Sequence, residues 1–163
     1  MLLLLKTGLR ANELVGVQVN DIKWEESTML VRNTKGYKQR YFPLSPTMKD
    51  ALSRYISIRG SIVACNALFV TVDDTPLTKR QVQSRIHDYG EQPGIKDVRL
   101  SPHTFRRTFA KMIVKNGAGI FELQQILGHT TFDMVRTYIN LFADDVKEQH
   151  RKFSPLNTLK KRN

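Results

Sequence analysis

Arg10, Lys35, His103, Arg106, His129 and Tyr138 are scattered along a chain of 163 residues, and together they supply cations, hydrogen-bond donors and one phenol. Those types fit around a phosphodiester. A phenol attacking such a group needs the two charged oxygens neutralised, and arginine forks do this bidentately. The set points to nuclease-ligase chemistry on DNA that requires no metal. A metal-site reading of His103 and His129 lacks a third ligand at suitable spacing, and no carboxylate cluster supports a two-metal nuclease. His87 and His150 have no comparable context and are expected on the surface.

Charge agrees with such a partner. The formal net charge is +11 and the isoelectric point is near 10.0, so the surface carries a positive field that attracts polyanions. Nucleic acid is the expected one; the plainer alternative is a set of solvated lysines with no partner. The length suits one sizeable core, and nothing in the composition divides it. The single cysteine, Cys65, follows Ile62-Val63-Ala64. It excludes an internal disulfide framework, suits a reducing compartment such as the cytoplasm, and reads as a small core residue. The opening Met1-Leu2-Leu3-Leu4-Leu5 ends at Lys6, has no basic stretch before it and is too short to span a bilayer. It reads as a buried helix, and a core helix beginning at residue one suggests a fragment of a longer protein.

The elements that must position these residues have clear punctuation. Leu2 to Lys6 reads as a short helix broken by Gly8, and Arg10 to Val15 as a second turn or two. From Asp21 the period changes to two. Ile22 to Trp24, Thr28 to Arg32 and Gln39 to Pro43 read as three antiparallel strands, joined by Glu25-Glu26-Ser27 and Asn33-Thr34-Lys35-Gly36. Trp24 is expected to anchor this small sheet by packing rather than to present a ligand platform.

Helices then take over, giving an α+β, mainly α-helical class with a small three-stranded antiparallel sheet near the N-terminus. Ser45-Pro46 caps a helix carrying Met48, Leu52, Tyr55, Ile56 and Arg59 at helical spacing. Leu68 to Val72 reads as a strand or an extended connector. Thr78 opens a helix through Val82, Ile86 and Tyr89 that ends at Gly90. Ser101-Pro102 opens another, with Phe105, Phe109, Met112 and Ile113 on its apolar side, and Ile120 to Leu127 follows, closed by Gly128. Thr131 to Leu141 and Asp144 to Lys152 are the last helical stretches before a basic tail, Lys160-Lys161-Arg162.

On this layout His103 and Arg106 are three apart in the first turns of one helix, next to its positive N-terminal end, which suits an anion. An early-helix histidine can also simply cap, and an arginine can cover apolar surface. Arg107 points to another face, toward a different phosphate or an acidic neighbour. Glu13, three residues after Arg10, is expected on the same helical face, orienting the Arg10 guanidinium from behind.

Four stretches resemble the catalytic domain of a tyrosine recombinase, the phage integrase family. They are Thr7-Gly8-Leu9-Arg10-Ala11-Asn12-Glu13-Leu14, the Lys35 hairpin, His103-Thr104-Phe105-Arg106, and Leu127-Gly128-His129 running to Tyr138 with Thr137 before it. The resemblance implies a role for each matching residue. Tyr138 is the nucleophile, giving a 3′-phosphotyrosine and a free 5′-hydroxyl. Arg10 and Arg106 hold the non-bridging oxygens, Lys35 is the general acid, His103 assists the tyrosine proton or donates to the phosphate, and His129 donates to a non-bridging oxygen. Lys38 competes with Lys35, which is preferred because it precedes Gly36 at the hairpin tip. Arg107 stands where many relatives have histidine, and Ala11-Asn12 replaces a commoner pair.

The implied activity is site-specific recombination of double-stranded DNA, integration or excision, by several protomers assembled on DNA. No cofactor, small-molecule substrate or membrane is implied, since the phosphotyrosine conserves the energy of the broken bond. The resemblance covers residues 1–163 as one catalytic domain, without the N-terminal helical domain that clamps the other face of DNA in family members. Asp144 to Leu156 is a candidate element for docking on a neighbour, with packing in cis as the simpler arrangement. A topoisomerase of type IB, with the same chemistry but no strand exchange, and a non-catalytic DNA-binding module remain open; Tyr138 in its motif argues against the second.

Overall fold

The computed structural model describes residues 1–32, 39–60, 65–92 and 99–128. Lys35 and Lys38, His129, Tyr138, the two last helical stretches with the docking element, His150 and the basic tail lie outside the described residues.

The chain opens with α1 (Leu2–Thr7), stopped by Gly8 in the left-handed region at φ 62°. Its Leu3, Leu4 and Thr7 are buried, while Met1 and Leu2 face outward. The expectation of a buried opening helix holds for one side only. α1 packs against α5 (Pro102–Lys115). A Cβ at Gly8 would lie 2.5 Å from Phe109 Cδ1, so glycine is needed for the approach as well as for the turn.

After α2 (Ala11–Val15) and a single 3-10 turn at Val19–Asp21, the sheet follows. It is a meander of β1 (Ile22–Lys23), β2 (Thr28–Arg32) and β3 (Gln39–Pro43), all antiparallel in that order. Met29 pairs with Ile22 and with Phe42, and Val31 with Arg40. Ile22, Met29, Val31 and Phe42 are buried, so the period-two reading of this region holds. Trp24 does not anchor the sheet. β1 stops at Lys23, and Trp24 enters the turn, 37% exposed, with its carbonyl accepting a bond from Lys49 Nζ.

Among the described residues, the side-chain-capped helix starts are built as the sequence suggests. Ser45 Oγ accepts from the Met48 N–H to cap α3 (Pro46–Arg59). Thr78 and Gln81 form a reciprocal capping box on α4 (Lys79–Gly90). Ser101 Oγ accepts from the Thr104 N–H, 3.1 Å, at the head of α5 (Pro102–Lys115). α6 (Ile120–Leu127) ends at Gly128, again left-handed at φ 63°. In place of a strand, residues 65–77 make two isolated bridges, Gln18 with Ala67 and Val70 with Pro76. Leu68 is buried there and Val72 is exposed. Cys65 is half-buried rather than a core residue.

The core joins all layers. Phe42 from the sheet meets Phe109 of α5, ring centroids 6.4 Å apart. The buried line of α5 runs through Pro102, Arg106, Phe109 and Ala110, which leaves Met112, one position off that line, half exposed. No helix among the described residues is long and apolar enough to cross a membrane.

Candidate phosphodiester site

Arg106 is the buried cation of the structure's centre, 3% exposed in the second turn of α5. One Nη donates to the Gly8 carbonyl at 2.6 Å and the other to the Leu127 carbonyl at 2.7 Å. Both acceptors sit at helix ends, where carbonyls lack intrahelical partners and the dipole favours a positive charge. Arg106 thus ties the end of α1 to the end of α6. The covering of apolar surface that a lone arginine could have provided is not its arrangement.

Arg10 follows Gly8 by two residues, so the carbonyl held by Arg106 lies at the root of the Arg10 backbone. It is the N-cap of α2, with extended φ and ψ of −72° and 153°. Glu13, at the third helical position, accepts the Arg10 backbone N–H at 2.9 Å and its Nη1 at 3.1 Å. Glu13 therefore meets Arg10, but not on the shared helical face that the sequence suggests. Arg10 stands outside the helix, and the pair meets through capping geometry rather than a shared helical face. The Arg10 side chain is 32% exposed and that of Glu13 only 1%.

A second arginine completes the arrangement, and it was missed in the sequence. Arg40 on β3 forks onto Glu13, Nη1 to Oε1 at 3.0 Å and Nη2 to Oε2 at 3.1 Å, while its Nε donates to the Ile126 carbonyl at 3.2 Å. The signal for it was parity. Arg40 is two residues from Phe42, on the inward side of a half-buried strand, and a charge in that position must find a partner. Burial disfavours the charged form of Glu13. The hydrogen bonds from Arg40, the Arg10 backbone N–H and the two guanidinium charges outweigh that and hold its carboxyl below the ordinary value.

These contacts close a ring: Gly8 and Arg10, Glu13, Arg40, the last carbonyls of α6, Arg106, and back to Gly8. Gly128 lies beside it, where an added Cβ would be 2.7 Å from Arg40 Nη1. His103 is exposed in the first turn of α5, one turn before Arg106, so these helical neighbours differ sharply in burial. Arg107 is exposed as well. His87 is on the surface, its Nε2 3.8 Å from Glu91 Oε1. Among the described residues no three His, Cys, Asp or Glu side chains come together as a metal site would require.

Comparison with known proteins follows the same lines. The phage integrase family model matches residues 1–144. Tyrosine recombinase XerD of Staphylococcus haemolyticus is 30% identical over 157 residues, which are 94% of this chain and 52% of that protein. Tyrosine recombinase XerA of Saccharolobus solfataricus is 35% identical over 150 residues, 92% of this chain and 47% of its own. The chain therefore spans about half the length of the curated relatives it matches. Among solved structures, a XerA recombinase superimposes with a TM-score of 0.82 at 30% identity, covering 94% of this chain and 56% of that one. The Tn1549 transposon integrase in complex with a circular intermediate DNA gives 0.67 at 26% identity, covering 83% and 51%. With a family match over most of its length and the fold of a recombinase catalytic domain, the chain belongs to the phage integrase family.

Proposed function

We propose that this chain breaks and rejoins double-stranded DNA in site-specific recombination, through a 3′-phosphotyrosine formed by Tyr138. The tyrosine oxygen attacks the scissile phosphorus and loses its proton, with His103 assisting. The bond from phosphorus to the 5′-oxygen breaks, and that oxygen takes a proton from Lys35. Arg10, Arg106 and His129 neutralise the non-bridging oxygens, whose charge grows in the transition state; this kind of stabilisation is commonly the largest contribution to rate. Attack by a 5′-hydroxyl from another strand reverses the step and seals the new junction, so no energy cofactor enters. Exchange requires other protomers on the same DNA.

The observation that carries this reading is the bond from Arg106 to Gly8. It brings an arginine 96 positions downstream to the backbone that presents Arg10, so two cations far apart in sequence converge on one junction. Their surroundings suit a phosphate: Arg10 is partly open to solvent, and the network behind it is buried. The recombinase names of the relatives favour strand exchange over relaxation of supercoils. The test is incubation with a nicked suicide DNA carrying the cognate site, followed by denaturing electrophoresis. The parent should form a covalent adduct, and Tyr138→Phe should form none while retaining affinity, because only the phenolic oxygen is lost. An adduct from the Phe variant would remove Tyr138 as the nucleophile.

A further inference from the structure

Glu13 is a buried carboxylate with two arginine partners, and they hold it differently. Arg40 takes both oxygens in a fork at 3.0 and 3.1 Å, whereas Arg10 gives a single guanidinium bond at 3.1 Å to an oxygen already shared. The exposures differ in the same sense, with side-chain values of 15% for Arg40 and 32% for Arg10. The trio therefore carries one positive charge in excess, and the more open member of the pair is the one less engaged by Glu13.

We propose that Arg40 is a positioning residue for phosphate recognition: it neutralises Glu13 so that the charge of Arg10 stays available to the scissile phosphate. This rests on the phosphotyrosine reading above. Without Arg40, the sole guanidinium left to compensate Glu13 among these partners is that of Arg10, and a buried carboxylate draws its counter-ion inward strongly. Arg10 would then turn from the phosphate to its own neighbour. The Nε bond of Arg40 to the Ile126 carbonyl fixes the fork against the end of α6, the element that leads into the segment holding His129. Lysine can substitute only in part, since an ammonium keeps the charge but has no planar fork to cover both oxygens while reaching that carbonyl.

The experiment compares cleavage by the full chain on two suicide substrates, one with an ordinary scissile phosphate and one with an uncharged methylphosphonate there. Variants are Arg10→Ala, Arg40→Met, Arg40→Lys and the double Glu13→Gln/Arg40→Met, with rates compared at equal folded fraction. Arg40→Met should cleave the ordinary substrate about 100-fold more slowly. On the methylphosphonate it should lose little, in parallel with Arg10→Ala, because there is less charge to neutralise. Arg40→Lys should fall between the parent and Arg40→Met, since an ammonium keeps the charge but not the fork, and the double variant should be clearly faster than Arg40→Met, since no carboxylate then competes for Arg10. Equal losses on both substrates, or a double variant no faster than Arg40→Met, would overturn the inference. If Arg40→Met does not fold, the double variant decides: a rate clearly above that of Arg10→Ala supports the inference, and one as low as that of Arg10→Ala overturns it. A parent chain that forms no adduct would instead overturn the phosphotyrosine reading, and this inference with it.

Discussion

At the scale of single residues, the proposed chemistry divides into groups that would touch the phosphate and groups that hold them. Lys35 is proposed for the first set, and a general acid there has a consequence for the leaving group. Lys35→Ala should cleave ordinary DNA far more slowly, by about 100-fold or more. A substrate with sulfur as the bridging 5′-atom should restore most of the rate, because a thiolate leaves without a proton. Arg10→Ala and Arg106→Ala should remain slow on both, and Lys38→Ala should behave like the parent. Equal impairment of Lys35→Ala on the two substrates would place the proton donor elsewhere. Glu13 belongs to the second set. Its folded-state pKa is lowered, so its contribution to stability is fully present above the unfolded carboxylate value and is lost as pH falls through the folded one. Glu13→Gln should cost about 2 kcal/mol at neutral pH, the scale of hydrogen bonds to charged groups. Urea titrations should show that difference shrinking below about pH 4.3, the ordinary glutamate value. A gap independent of pH would mean that the carboxylate charge is not what the two arginines hold.

At the scale of elements, the junction depends on helix ends meeting. Gly8 terminates α1, contacts Phe109 closely and offers its carbonyl to Arg106. Gly8→Ala combines left-handed backbone strain with a Cβ 2.5 Å from the Phe109 ring. The expected loss is about 2–4 kcal/mol, the sum of a left-handed penalty and overpacking. Cleavage should fall even where the variant is folded, because the Arg106 acceptor shifts with the backbone. Adding Phe109→Leu should return part of the stability by relieving the contact. Denaturation of the single and double variants would check this, and a Gly8→Ala as stable as its parent would contradict the packing described. The helix starts are simpler: Ser45, Thr78 and Ser101 each accept from the backbone N–H of the third residue of their helix, a local requirement that the sequence alone announces.

At the scale of the whole molecule, the excess of positive charge bears on the proposed encounter with DNA. With a net charge of +11, affinity should rest largely on phosphate contacts, each releasing condensed counterions. Binding of the isolated chain should therefore be weak and fall steeply with salt, by about 10³-fold or more between 50 and 200 mM if some six phosphates are contacted. Fluorescence anisotropy over that range would measure the slope. Affinity insensitive to salt would mean that the charge serves solubility rather than recognition.

Much of this protein is local and so was legible in its sequence. Among the described residues, caps, glycine stops and the change of period at Asp21 mark the helices and the three sheet strands to within a residue or two, because each is decided by neighbours along the chain. Arg10, His103 and Arg106 stand out in the sequence as candidates because their types and motif context are written in order. What tertiary structure alone decided is which charges meet. Arg40 looked like one more cation in a basic chain until β3 turned it inward beside Phe42 and over Glu13. Arg106 reads in the sequence as a neighbour of His103 on one helical face, and only α1 and α6 present it with two carbonyls. Trp24 and Met112 read as apolar packing residues, yet a strand ending one residue early and a helix turned by one position left them toward solvent. Burial and pairing of charge depend on contacts between residues far apart in the chain, and spacing along the sequence carries no measure of them.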